Sequence, residues 1–307
     1  MKILILGAGA VGGYFGGMMR AAGLDADFVV RGPRAAQLRE QGLTVIRPDG
    51  EMQVDDIPVH VTGETLPHAD IILMAIKATG LTSAIASLNG AVGDDTLIVP
   101  LLNGLRHIET LVDVFGDERI TGGLCYIQAS LDDNGTVRRH GPHQRIVIGA
   151  RRPSQEERLK AFVDYVTPAG FETVCSANVE QAMWDKVVFL ATLAGVTSIA
   201  RGAVGDITAT LYGEETTRAM LGECLSIAEA EGFALSPAAI ENAQNLLLDP
   251  ASRLSSSMLG DIRAGKPTEG DHILGDLINR GEKHKIATPF LKAAHVAVLV
   301  HEGLLTP

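Results

Sequence analysis

Lys2-Ile3-Leu4-Ile5-Leu6-Gly7-Ala8-Gly9-Ala10-Val11-Gly12-Gly13 is the stretch whose reading decides the fold. Lys2 to Leu6 is a short apolar strand, a glycine turn follows, and a helix then runs to about Ala22. Each glycine of such a unit has its own task. Gly7 permits the tight turn, Gly9 lets the backbone approach a pyrophosphate, and Gly12 permits close packing of helix on sheet. Ala8, Ala10 and Val11 complete the turn. The helix N-terminus then offers unpaired N–H groups and a positive dipole end to phosphates. Without its context, GxGxxG is as easily an ordinary glycine-rich turn; the strand before it and the helix after it point to a dinucleotide site.

The next strand, Asp27 to Val30, ends at Arg31, with Arg34 three residues on. An acidic residue at that place binds the ribose 2′-hydroxyl of NAD. A guanidinium fork suits a 2′-phosphate instead, so the expected cofactor is NADP(H). Two solvated surface arginines are the plainer alternative.

Working outward, Ile71–Ile76 and Thr96–Leu101 are apolar runs of strand length alternating with helical stretches, the texture of a mainly parallel sheet covered on both faces. Val45-Ile46 and Val59-His60-Val61 suggest short strands flanking a turn at Asp49-Gly50. Asp132-Asp133-Asn134-Gly135 is a strong turn signal between Cys125–Leu131 and Thr136–His140, and Arg145–Ile148 follows, which reads as an antiparallel extension of the same sheet. Gln155–Val166 has the spacing of a helix, and Thr173-Val174 closes the first domain. After about Ala177 strand texture stops. Val179–Ala200, Thr216–Glu231, Pro237–Leu248 and Gly270–His284 carry helical apolar spacing. The expected fold is α/β, a doubly wound dinucleotide-binding sheet over residues 1–176 followed by an all-α domain over 177–307.

Composition narrows the partners. The chain has 307 residues, long enough for two cores, and a formal net charge of −11. That charge argues against nucleic acid and anionic membrane surfaces, which need clustered positive charge. A small anionic substrate needs only one local cationic pocket. Cys125, Cys175 and Cys224 show no ligand spacing and read as reduced thiols. The strand begins directly after Met1, leaving no room for a signal peptide, and no apolar run reaches the roughly 20 residues of a membrane span. A cytoplasmic protein is expected. His140-Gly141-Pro142-His143 invites a metal reading, but Gly-Pro suggests a turn and no third ligand is evident, so no metal is expected. His107 reads as a helix-surface histidine.

Four further segments are Ala75-Ile76-Lys77-Ala78, Leu101-Leu102-Asn103-Gly104, Met183-Trp184-Asp185-Lys186 and Ser256-Ser257-Met258-Leu259-Gly260-Asp261-Ile262-Arg263-Ala264-Gly265-Lys266-Pro267-Thr268-Glu269. With the glycine turn, they make the chain resemble the ketopantoate reductase (2-dehydropantoate 2-reductase) family over almost its whole length. The resemblance implies a Rossmann domain, a helical second domain and NADPH-dependent reduction of a 2-oxo acid to a 2-hydroxy acid, in the family ketopantoate to pantoate for pantothenate biosynthesis. It also makes a homodimer plausible. Lys186 matches the family's general acid and Glu269 the carboxylate that meets substrate and orients the lysine. Asn103 matches an asparagine near the nicotinamide and the lysine, Lys77 a lysine near the cofactor, and Ser257 a serine on the substrate carboxylate.

The residues give that assignment independent sense. Hydride delivery to a ketone leaves a developing alkoxide that needs a proton and positive charge, and such a proton donor is worth about 10²–10⁴-fold in rate. Lys186 lies early in an apolar helix beside Trp184, where desolvation would bring its pKa towards neutrality. A lysine snorkelling from a buried helix is the other reading. Glu269 equally suits a helix first turn, and Ser255–Ser257 a helix cap.

The chain departs from the family at four places. Where family members carry asparagines one and two turns after the lysine, this chain has Leu190 and Ala194; a third falls at Leu254 and a fourth at Leu274. Thr197 still fits the family pattern, which opposes a local slip of the alignment. An apolar lining would favour a hydrocarbon or aromatic substituent over ketopantoate's hydroxymethyl group. Two other functions stay open: a related NADP-dependent opine or 3-hydroxy acid dehydrogenase, and a non-catalytic NADPH-binding sensor.

Overall fold

Four aliphatic residues without a polar interruption form β1 (Ile3–Leu6), and all four are buried. The computed structural model describes residues 1–88 and 90–303. After the glycine turn comes α1 (Ala10–Ala21), then β2 (Ala26–Val30) and α2 (Gly32–Gln41). A hairpin of β3 (Leu43–Arg47) and β4 (Gly50–Val54) precedes β5 (Val59–Val61), β6 (Ile71–Met74), α3 (Leu81–Ala86) and β7 (Leu97–Pro100). The first sheet has strand order β5-β2-β1-β6-β7, and every pairing in it is parallel. Chain direction across the sheet reverses between β1 and β6, the switch point at which doubly wound sheets hold nucleotides.

The chain continues through α4 (Arg106–Phe115), β8 (Gly122–Leu131), β9 (Val137–Gly149), α5 (Glu156–Val166) and β10 (Glu172–Cys175). The expected antiparallel extension of the first sheet is instead a second sheet, ordered β10-β9-β3-β4 with β8 paired antiparallel to β9. A single bridge, Ile98 to Ile120, is the ladder contact between these regions among the described residues. The physical reason is α1, which packs on the first sheet with one side and on β3, β8 and β9 with the other. Its glycines allow this. A Cβ on Gly16 would lie 2.5 Å from Ile5 and Phe28 of the first sheet, and one on Gly13 would lie 2.7 Å from Val137 of the second.

Three local expectations change with it. The partner of Val45-Ile46 across Asp49-Gly50 is β4, while Val59–Val61 joins the first sheet. The expected strands Thr136–His140 and Arg145–Ile148 are not split by a turn; from Val137 onward both are parts of β9. Its residues 140–143 bulge opposite Gln128, because Ile127 pairs with Gln144 and Ala129 with Arg139. Such a bulge is where a strand tolerates proline. The guanidinium of Arg139 holds the bulge by donating to the carbonyls of Gly141 and Pro142. His140 pairs with Ser130 and stays exposed, and no metal-binding group of His, Cys, Asp or Glu occurs among the described residues.

From Val179 the chain is helical: α6 (Val179–Ala200), α7 (Val204–Thr208), α8 (Gly213–Ala230), α9 (Pro237–Leu247), α10 (Ser257–Arg263), α11 (Asp276–Lys283) and α12 (Pro289–Gly303). The expected single helix Gly270–His284 is a π-helical turn, Asp271–Gly275, running into α11. Two compact units result: Met1–Leu102 with His107–Val179, and Asn103–Arg106 with the chain from Glu180 onward. In the second unit, the buried Glu223 carboxylate of α8 accepts from the backbone N–H groups of Phe290 and Leu291, capping α12 where its dipole favours a negative charge. Among the described residues one helix, α6, is long and apolar enough to cross a membrane, but two thirds of that stretch is buried in the protein.

Candidate active site

In the first unit the glycine turn is shaped by close approach. Gly7 sits at φ +100°, and a Cβ there would come within 2.8 Å of the Ala75 carbonyl that follows β6. A Cβ on Gly12 would collide with the Gly7 carbonyl at 2.1 Å. Beside Gly9, by contrast, a Cβ would meet nothing within 4 Å. No side chain caps α1 and no acidic residue occupies its first turn. The first backbone N–H groups of α1 therefore have no side-chain cap, and the open space beside Gly9 leaves room for a pyrophosphate, so the residues present fit a dinucleotide.

The two arginines after β2 divide. Arg31 is exposed at the N-cap of α2. Arg34 is half-buried, and its Nε donates to the Ala8 carbonyl at 3.1 Å while Nη1 donates to Gln37 at 2.6 Å. Burial lowers its pKa. Arg34 thus struts the nucleotide turn itself, a role sequence reading missed because the contact crosses 26 residues. Lys77 is exposed just after β6.

In the second unit, Lys186 is half-buried on α6 and donates from Nζ to Asn103 Oδ1 at 3.0 Å. Two residues earlier on α6 the helix is anchored. The Trp184 ring stacks on Phe233 with centroids 5.6 Å apart, and the Arg280 guanidinium lies 5.7 Å from the Trp184 centroid. Stacking and cation–π attraction of this kind are each worth about 1 kcal/mol. Arg280 is fixed in turn by Asp276 at 3.0 Å and Glu231 at 2.7 Å. Burial pushes the Glu231 carboxyl up, but hydrogen bonds from His284 and Arg280 outweigh it and hold it below the usual carboxylate range.

Glu269 is half-buried and stands next to Thr268, whose hydroxyl accepts from Gly270 N and donates to Glu302. Ser257 is the exposed first residue of α10. The buried serine is Ser256, which caps α10 by accepting from Leu259 N and bonds Thr197 Oγ1 at 2.7 Å. Leu190 and Leu254 are half-buried, while Ala194 is 1% and Leu274 0% exposed. Leu274 is therefore core. His107, expected on a helix surface, is fully buried, because its face of α4 turns inward with Leu111.

One buried residue of this region escaped the sequence reading altogether. His272, in the π-helical turn, has its ring against Gly104, where a Cβ would lie 2.8 Å from Cδ2. Burial pushes its pKa down, the Arg106 charge adds to this and a hydrogen bond to the Asn103 backbone opposes it, leaving the group at about 4.

Two family descriptions match the chain: "Ketopantoate reductase PanE/ApbA" over residues 3–153 and its C-terminal counterpart over 178–302. The chain belongs to the ketopantoate reductase family. As the family does, it acts as an oxidoreductase on a CH–OH group. An uncharacterized oxidoreductase, YkpB, of Bacillus subtilis (strain 168) is 32% identical over 99% of both chains. A 2-dehydropantoate 2-reductase of Halobacterium salinarum is 27% identical over 95% of this chain and 96% of that protein. Among solved structures, D-mandelate dehydrogenase in a ternary structure with NADH and anilino(oxo)acetate superposes with a TM-score of 0.91 over 100% of both chains; at 24% identity that likeness speaks for the fold.

Proposed function

We propose that this ketopantoate reductase family member reduces a 2-oxo acid to a 2-hydroxy acid with NADPH, and that its substrate bears a more apolar substituent than ketopantoate. The observation carrying the reading is Lys186 Nζ held at 3.0 Å by Asn103, an amino group aimed by an uncharged acceptor rather than neutralised by that partner. Bound NADPH supplies the hydride. Gly7, Ala8, Gly9, Ala10, Val11 and Gly12 would hold its pyrophosphate on backbone N–H groups, Arg31 would take the 2′-phosphate, and Lys77 would contribute to the same site.

Lys186 gives its proton to the oxygen of the carbonyl as charge develops there, and its positive charge stabilises the alkoxide before transfer is complete. Asn103 keeps the donating N–H directed. Glu269 and Ser257 hold the polar end of the substrate. Leu190, Ala194 and Leu254 present no side-chain hydrogen-bonding group, so a hydroxyl in their place would lose its water partners without replacement. That D-mandelate dehydrogenase, which shares the fold, was seen with anilino(oxo)acetate, a ligand bearing an aromatic ring, is in keeping with this side of the reading.

The test is single-turnover oxidation of bound NADPH, with NADH in parallel, against a panel running from ketopantoate to aliphatic and aryl 2-oxo acids and 2-oxo acid plus amine pairs. Faster turnover of the apolar acids with NADPH is expected. Ketopantoate turned over as well as or better than they are sinks the substrate assignment. Turnover only with amine pairs indicates an opine dehydrogenase, and none at all a sensor.

A further inference from the structure

Asn103 follows β7, and the turn Asn103–Arg106 that it opens belongs to the second unit. Something must hold that turn, because an asparagine side chain aims a lysine only as well as its own backbone is fixed. Three observations place the fixing at the π-helical turn Asp271–Gly275. The His272 ring bonds the Asn103 backbone, and since this contact favours the protonated ring, the ring N–H donates and the carbonyl accepts. The same ring fills the space beside Gly104, which stands at φ +90° and has no room for a Cβ. Asp271, the preceding residue, binds Arg106 at 2.7 Å.

Successive residues of an α-helix point roughly 100° apart. The wider π turn lets residues 271 and 272 both engage one short loop, and π turns are frequent at functional sites. The Arg106–Asp271 pair is exposed and screened, so it contributes little. The buried ring, 7% exposed, is the firm contact. Being neutral at working pH, it adds no second positive charge near the lysine that Asn103 receives.

We propose that His272 is a positioning residue for Lys186: its ring N–H holds the Asn103 carbonyl, and the fixed Asn103 side chain aims the lysine. The proposal rests on the reading of Lys186 as the proton donor, but half of its test does not. Two variants of the full chain, His272→Phe (ring volume, no donor) and His272→Gln (amide donor), are compared after thermal melting confirms folding. His272→Leu replaces the first if that variant does not fold. With the best 2-oxo acid, His272→Phe is expected to lower kcat about tenfold, as a misplaced group does, with NADPH affinity within about twofold of wild type. His272→Gln should recover most of the loss. In an Asn103→Ala background the same substitution should cost less than about twofold, because the path it acts through is already cut. Equal losses in both backgrounds overturn the proposal.

The second readout needs no turnover. The Lys186 midpoint is followed by NMR on reductively ¹³C-methylated protein, its signal assigned by absence in Lys186→Ala. Losing an aligned acceptor disfavours the charged form, so His272→Phe should lower the midpoint and His272→Gln restore it. An unchanged midpoint in His272→Phe overturns the proposal. If wild type reduces no 2-oxo acid, the functional reading falls while this titration still decides the role of His272.

Discussion

Helices α1 and α6 are both enclosed by protein, and each carries in or just before its first half the residues on which function is proposed to depend, yet they are built from opposite materials. The glycine turn and α1 carry five glycines from Gly9 to Gly17, and α1 buries both of its flanks, one against each sheet. Its chemistry is that of backbone N–H groups, which require side chains to be absent. Helix α6 is 22 residues of largely apolar side chains, and the chemistry proposed for it is one amino group, held by the side chain of Asn103. A site made of backbone is specified by what is missing within a few residues. A site made of side chains is specified by what arrives from elsewhere in the chain.

The comparison breaks most visibly at Lys186. Lys186→Ala should lower kcat by about 10²–10⁴-fold with NADPH affinity unchanged. Pre-steady-state absorbance and fluorescence titration measure the two separately, and near-normal turnover would remove Lys186 as the acid. Gly12→Ala should do the reverse. With a Cβ aimed at the Gly7 carbonyl, the turn must open, and NADPH binding should weaken by about tenfold or more, since losing one or two charge-assisted contacts costs that much. Calorimetric titration of the cofactor gives the answer, and unchanged affinity would mean the turn is not the phosphate site. The smallest effect belongs to Arg31, where a surface charge decides between two cofactors. Arg31→Asp should narrow the NADPH-to-NADH affinity ratio by about fivefold or more, or reverse it. An unchanged ratio would pass the role to another residue.

The same contrast explains which parts of the molecule could be read from the sequence. The first sheet was legible because buried parallel strands announce themselves as aliphatic runs, as Ile71–Met74 and Leu97–Pro100 do. Strand β4, Gly-Glu-Met-Gln-Val, has one buried residue and no such signature, so its pairing with β3 was missed. The second sheet was misplaced because hairpin signals specify a local partner and not the layer on which the hairpin lands. The π turn at Asp271–Gly275 interrupts a pattern that helical spacing alone reads as one helix.

At the site, Lys186 was legible through its Met-Trp-Asp-Lys setting, and Asn103 through the family pattern. Their meeting was not a property of either segment, for they lie 83 residues apart. Among the serines, the sequence offered a cluster and the resemblance favoured Ser257. Packing then made Ser256 the buried cap on Thr197 and left Ser257 exposed.

By itself, the sequence determined the nucleotide turn, the switch from strand to helix near Ala177 and the presence of a lysine on an apolar helix. Each follows from steric and periodic rules that act over a few residues, and glycine states them most plainly. Only the tertiary structure decided that α1 separates two sheets, that Arg34 struts the turn through Ala8, and that His272 and Lys186 converge on Asn103. Those contacts join residues distant in sequence, and what sets them is close packing of whole elements, which no short window of residues encodes.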